Sequence, residues 1–263
     1  MEIIDAHAHI YPHKIADKAT KAVGDFYNIP MEIEAGTTDT LLLQGKKAGI
    51  SKFIVHSCAT KASQVRPINE FIKSEIDKHN EFIGFMTLHQ DLTYEETREE
   101  VEFAINNRFK GVKLHPDFQK FYIDDEKVYK FYEIIGDKLP ILFHIGDDRY
   151  DFSAPERLAF IAKKFPKVNF IAAHFGGYRC WDKINVYKGL NNVYFDTCSS
   201  LTFISPIRAK EIIDTLGVNK FFFGTDFPMW NATEELNRFN KIPLSDADRQ
   251  LILSKNIRKL LKI

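Results

Sequence analysis

Residues 2–9, EIIDAHAH, decide the fold: an apolar run that ends in two histidines with a single residue between them. The pattern recurs along the chain. KFIVHS (52–57), FIGFMTLH (82–89), GVKLH (111–115), PILFH (140–144) and NFIAAH (169–174) are apolar runs that close on His56, His89, His115, His144 and His174. A further run, KFFFGTD (220–226), ends in Asp226. Seven of the nine histidines, His7 and His9 included, stand at the downstream ends of these runs. A short apolar run bounded by polar or turn residues reads as a buried strand. If the runs are parallel strands of one barrel, their downstream ends share the face on which barrel enzymes build active sites. Imidazoles and a carboxylate gathered there would suit a divalent transition metal.

The predicted strands are 2–9, 51–57, 82–88, 110–115, 140–145, 168–174, 192–197 and 220–226. Segments with helical periodicity lie between them, among them TYEETREEVEFAINN, DDEKVYKFYEIIGD, SAPERLAFIAKKF and SPIRAKEIIDTLG. Ser153 and Ser205 read as N-caps, and Gly217 closes its helix. Residues 243–263 read as an amphipathic helical ending. Eight strands with crossover helices predict an α/β fold, a single (β/α)8 TIM barrel over residues 1–263 with a longer connection between the first two strands. An open doubly wound sheet would show a Gly-rich phosphate turn after its first strand, and HIYPHK stands there instead. The link from His9 to Ser51 exceeds an ordinary crossover and is expected to carry an extra helix or a lid, irregular over 25–37.

A chain of 263 residues with 44% apolar residues can bury the core of one such barrel. Lysine plus arginine equals aspartate plus glutamate, 36 each, so net charge argues against nucleic acid or an anionic membrane as the main partner. The acidic run EETREEVE (95–102) reads as the solvated face of a helix. Cys58, Cys180 and Cys198 are odd in number and lack CxxC spacing, which points to a reducing cytoplasm. No basic segment opens the chain as in a signal peptide, and no apolar stretch approaches the ~20 residues that span a bilayer. The expected partner is a small-molecule substrate. A homo-oligomer is compatible with this reading, and the sequence leaves the oligomeric state open.

Strand side chains alternate, so Asp5, His7 and His9 share one face of the first strand. Two imidazoles one pleat apart can bind a single ion. Asp5, one pleat deeper, could accept from an imidazole N–H or satisfy local backbone. Closure of a barrel places the last strand beside the first, bringing Asp226 to the HxH pair, and His144 adds a third nitrogen. His174, in AAHFGG, is assigned as acid/base. Lys113 and His115 share the inward face of the fourth strand as substrate contacts. A carbamylated Lys113 bridging two metals is the alternative, without independent sign of a second ion. Arg149 is a candidate for a substrate anion, against the simpler reading of a loop ion pair. His56 and His89 read as mouth-lining or locally satisfied.

These residues resemble the amidohydrolase superfamily, in particular the branch that includes aminocarboxymuconate-semialdehyde decarboxylase. DAHAH (5–9), GVKLHP (111–116), PILFHIG (140–146), AAHFGG (172–177), VYFDTCSS (193–200) and FGTDFP (223–228) carry the resemblance, with SKNIRKLLKI similar to the closing helix of the branch. The resemblance implies one divalent metal ion, usually zinc, with manganese as an alternative. Its ligands would be His7, His9, His144 and Asp226, with His174 catalytic.

Two reactions share this constellation. Hydrolysis of a small ester, lactone or amide would use a metal-activated water with Asp226 as base and is the leading expectation. Non-oxidative decarboxylation of a small unsaturated or aromatic acid would use the same ion, with His174 or Asp226 delivering a proton. A phosphodiesterase would want a carboxylate on the fourth strand, where Lys113 stands. A barrel without catalysis would not keep all five site positions filled.

Overall fold

Eight strands alternate with helices through residues 2–263, the part of the chain described by the computed structural model. They are β1 (Ile4–His9), β2 (Lys52–His56), β3 (Phe82–Thr87), β4 (Gly111–Leu114), β5 (Ile141–Phe143), β6 (Phe170–Ala172), β7 (Val193–Asp196) and β8 (Phe221–Phe222). The sheet order follows the chain order, β1 to β8, which is the TIM-barrel class. All eight predicted strands are present, each shorter than predicted at one or both ends.

By backbone contacts the chain divides into two units. One comprises the chain through Ser57, Glu75–Ile83 and Thr197–Ile263; the other comprises Cys58–Ser74 and Gly84–Asp196. In the first unit β1 pairs with β2 in parallel, and Ala8 bridges in parallel to Phe227 beyond β8. The amides of Ala6 and His9 donate to the carbonyls of Phe223 and Phe227, at 2.8 and 2.7 Å. The register of β1 against β2 shifts between Asp5 and Ala8, which face Phe53 and Val55. Three steps along β1 thus oppose two along β2, the signature of a bulge that re-aims side chains. His7 lies within it.

The link between β1 and β2 carries two helices, Ala16–Tyr27 and Thr38–Ala48, as its length requires. The irregular span between them is tied down: Gly36 N donates to Thr20 Oγ1 at 2.9 Å, and Glu32 N to the Met229 carbonyl at 3.1 Å. The chain ends in helical segments Asp246–Gln250 and Asn256–Leu261, joined by a wider π-type turn over Leu251–Lys255.

In the second unit the part of β3 from Gly84 on and β4 through β7 pair in parallel, each with the next. Gly111 opens β4 because a Cβ there would fall 2.4 Å from Phe85 Cζ, so the ring occupies the missing side chain's place. The helix Tyr94–Asn106 starts at a capping box in which Thr93 Oγ1 accepts from Glu96 N and Glu96 Oε2 accepts from Thr93 N. Its acidic run is not solvated throughout. Glu100 is buried, accepting from Asn69 Nδ2 and pairing with Arg66, both at 2.8 Å. Ser205 caps its helix through Arg208 N, and Gly217 closes it. Ser153 does not cap. The helix Pro155–Lys164 begins after Ala154, and the Ser153 hydroxyl is spent on Asp117 at 2.9 Å.

Candidate metal centre and proton-handling histidines

In the first unit the ends of β1 and β8 bring a carboxylate to the HxH pair. Asp226 Oδ1 lies 3.3 Å from His7 Nε2 and 3.5 Å from His9 Nε2. Two imidazole nitrogens aimed at one carboxylate oxygen form a donor set that suits a divalent transition ion. Asp226 is anchored from both sides: its amide donates to the His7 carbonyl at 2.8 Å, and its Oδ2 accepts from Ser199 Oγ at 2.5 Å. Ser199 Oγ in turn accepts from Trp230 Nε1 at 2.9 Å. Asp226 and Ser199 both adopt the left-handed backbone region, φ 59° and 51°.

His56 joins this group. Its ring sits edge-on at 4.9 Å from His7 and 4.4 Å from His9, and the three residues offer nitrogens within 4.8 Å of one another. The bulge in β1 and the His9–His56 register explain why it faces the pair. Asp5 takes the backbone role. It accepts from His7 N and Thr225 N, both at 3.0 Å, and from Thr225 Oγ1 at 2.5 Å.

Behind Trp230, Arg238 lies 5.2 Å over its ring and donates to Glu235 Oε2 at 2.9 Å. Glu235 Oε1 is buried and has no hydrogen-bond partner among the described residues. Burial pushes this carboxyl up to about 8. A carboxyl whose folded pKa lies above its ordinary 4.5 favours the fold at low pH and weakens it as pH rises towards that higher value. Glu235→Gln keeps an acceptor for Arg238 and removes the titration. Its melting temperature relative to wild type is therefore expected to climb between about pH 5 and about pH 8. A difference that stays flat over this range would contradict the assignment.

In the second unit His144 follows β5 directly and His174 stands two residues past the end of β6. His144 Nε2 donates to the Gly146 carbonyl at 2.8 Å, because a carbonyl can only accept. In the neutral ring Nδ1 is then the acceptor, and His174 Nε2 donates to it at 2.8 Å. His174 sits in a tight turn at φ 63°, followed by Phe175 at φ 55°, with its amide donating to Asp196 Oδ1 at 2.8 Å. This turn aims the ring back at His144.

His115 is committed to packing. It stacks on His144 at 4.1 Å and on Phe118 at 3.7 Å, and its Nδ1 accepts from Phe118 N at 3.3 Å. Lys113 is wholly buried on β4. Arg149 clasps the buried Asp147 carboxylate, Nε to Oδ1 at 2.9 Å and Nη2 to Oδ2 at 2.8 Å, which is the loop ion pair. His89 is buried beside Asp91 and accepts from its amide at 3.3 Å; burial lowers its pKa.

Two further residues near these sites, Asp117 and Cys198, are not marked as site residues by the sequence pattern. Asp117 Oδ2 lies 3.5 Å from His144 Nε2, and burial pushes its carboxyl up to about 7. Cys198 Sγ lies 3.2 Å from His7 Nδ1. The available signal was position. DTCSS follows the seventh strand directly, as the histidines follow theirs.

Comparison with known proteins identifies the family and the fold. A family model described as amidohydrolase matches residues 4–263. No curated protein matches the chain. Among solved structures, an uncharacterised TIM-barrel protein from Bordetella bronchiseptica superposes with a TM-score of 0.82 at 17% identity, covering 100% of this chain and 99% of its own. The 5-carboxyvanillate decarboxylase of Sphingomonas paucimobilis gives a TM-score of 0.79 at 13% identity, with 100% and 99% covered. A dihydroxybenzoic acid decarboxylase from a Polaromonas species, with bound manganese and the inhibitor 2-nitroresorcinol, gives 0.77 at 17% identity, with 99% and 97% covered.

Proposed function

Because the chain belongs to the amidohydrolase family and is an enzyme of that family, we propose that it is a metal-dependent, non-oxidative decarboxylase of a small aromatic or unsaturated carboxylic acid. The observation that carries the metal is the convergence of His7 Nε2 and His9 Nε2 on Asp226 Oδ1. The reaction class draws its support from the fold relatives named for decarboxylation of 5-carboxyvanillate and dihydroxybenzoic acid. The reading treats residues 1–263 as one cytoplasmic domain acting on a small molecule. His144 is a further nitrogen ligand by the order of strand ends in the sequence; here its nitrogens are engaged with Gly146 and His174, so binding the ion requires that it give up one of these bonds.

A divalent ion, manganese or zinc, would supply positive charge for an anionic oxygen of the substrate. The remaining work falls to side chains. Ser199 and the Asp226 amide hold the Asp226 carboxylate turned towards the two imidazoles. His174 delivers a proton to the carbon that carries the carboxylate. The carbon–carboxyl bond then breaks, its electron pair returns to the π system, and CO2 leaves. His174 carries a proton on Nε2, donated to His144, whereas Asp226 Oδ2 accepts from Ser199 Oγ, so His174 rather than Asp226 is taken as the proton donor. Lys113 is assigned to the substrate carboxylate. Arg149 and His115 carry less of the reading, since one holds Asp147 and the other packs on His144.

Hydrolysis of a small ester, lactone or amide is the second reading. It is favoured by the position of Asp226 Oδ1, where a carboxylate can take a proton from water. Manganese- or zinc-loaded protein incubated with dihydroxybenzoates, carboxyvanillates, lactones and amides separates the two. Release of CO2 from an acid supports decarboxylation. Ring opening or amide cleavage, with no CO2 from any acid, overturns it.

A further inference from the structure

The geometry points to Cys198 as the positioning residue of His7: its sulfur accepts the Nδ1–H hydrogen bond and thereby keeps Nε2 turned to Asp226. This rests on the metal reading above and extends it to a residue outside the ligand set. The His7 ring carries its two nitrogens on different edges. Nε2 faces Asp226 Oδ1 at 3.3 Å, and Nδ1 faces Cys198 Sγ at 3.2 Å. A single imidazole cannot offer both nitrogens to one ion. With Nε2 as the ligand, the neutral ring bears its proton on Nδ1 and needs an acceptor there. In this structure the sulfur occupies that place.

The contact is built by three elements. The His7 backbone is fixed through its amide to Asp5 Oδ1 and through its carbonyl to Asp226 N. The Cys198 backbone is fixed on either side: Thr197 N donates to the Phe222 carbonyl at 3.0 Å, and Ser200 Oγ to the Cys198 carbonyl at 3.1 Å. Gly224 makes the room. A Cβ there would stand 3.1 Å from His7 Cβ and 3.4 Å from Cys198 Cβ, and the Gly224 amide donates to Thr197 Oγ1 at 3.3 Å. With both backbones pinned, rotation of the His7 side chain is the freedom left. Cys198, wholly buried, is placed to remove it.

The test compares wild type, C198A and C198S for Mn2+ and Zn2+ affinity by competition with a chromophoric chelator. Loss of a partner that orients a ligand histidine is expected to weaken binding roughly 10–100-fold in C198A. C198S, which retains an acceptor, should fall between the two. The melting temperature of metal-free protein controls for folding, and C198V, closer in volume and equally unable to accept, replaces C198A if that variant folds poorly. Cobalt(II) substitution supplies the second readout: wild type should lack an intense near-ultraviolet thiolate-to-cobalt band. Unchanged affinity in C198A overturns the inference and leaves the metal reading standing. A thiolate band that disappears in C198A also overturns it, making the sulfur a direct ligand. Wild type that takes up no metal fails the site reading itself.

Discussion

A His7→Ala/His9→Ala double variant is expected to lose the ion that wild-type protein carries at about one per chain. The two Nε2 atoms stand 3.3 and 3.5 Å from Asp226 Oδ1. Truncating both rings leaves a carboxylate that no longer has the nitrogen donors a transition ion prefers. The backbone frame should survive, because the Asp5 bonds to the His7 amide and to Thr225 do not depend on the ring. Metal analysis after gel filtration reads the stoichiometry directly. A double variant that retains the ion would remove the HxH pair from the site, and chelator-free wild type unable to take up zinc would remove the site altogether.

Asp226→Asn should cut turnover at least ~100-fold, since it removes the carboxylate donor of the ion and, in hydrolysis, a base whose loss costs about 10²–10⁴. The change is nearly isosteric, so the effect is one of charge and hydrogen-bond polarity. The asparagine carbonyl can keep the bond from Ser199 Oγ, which turns the amide NH2 towards His7 and His9. Those protons would compete for the nitrogen lone pairs that a ligand site must leave available. Assays at saturating metal, with circular dichroism as the control for folding, isolate the chemical step. Turnover close to wild type would take Asp226 out of the mechanism.

The grouping of His7 and His9 with Asp226 was legible because these residues punctuate apolar runs, and closure of a barrel sets the last run beside the first. The trimmed strands have a physical cause: ladder bonding stops where the chain turns out of the sheet, so β8 keeps only Phe221–Phe222 while Phe223 and Phe227 still accept from β1. Position was legible; partnership was not. Arg149 and Ser153 look equally suited to function and to structure until Asp147 and Asp117 are seen to claim them. Asp5 was equally ambiguous until its oxygens proved to serve backbone and Thr225. His56 gained weight because a bulge in β1, invisible in the residue pattern, turned the HxH rings towards it. For Cys198 only position was legible, after the seventh strand; its contact with His7 joins residues 191 apart, and neither flanking segment signals the other.

The left-handed backbone at His174, Phe175, Ser199 and Asp226 also limits which sequences lie one step away from this one. At such a φ an L-residue costs about 1–2 kcal/mol, with aspartate and asparagine the most tolerant non-glycine types and β-branched residues the least. A drifting Asp226 is therefore steered towards Asn or Gly before any question of chemistry arises, and Val or Thr is screened out by conformation alone. Ser199→Thr, conservative by hydroxyl count, falls on the forbidden side of the same filter. The neighbourhood open to neutral exchange around this centre is set by main-chain torsion as much as by the donors it presents.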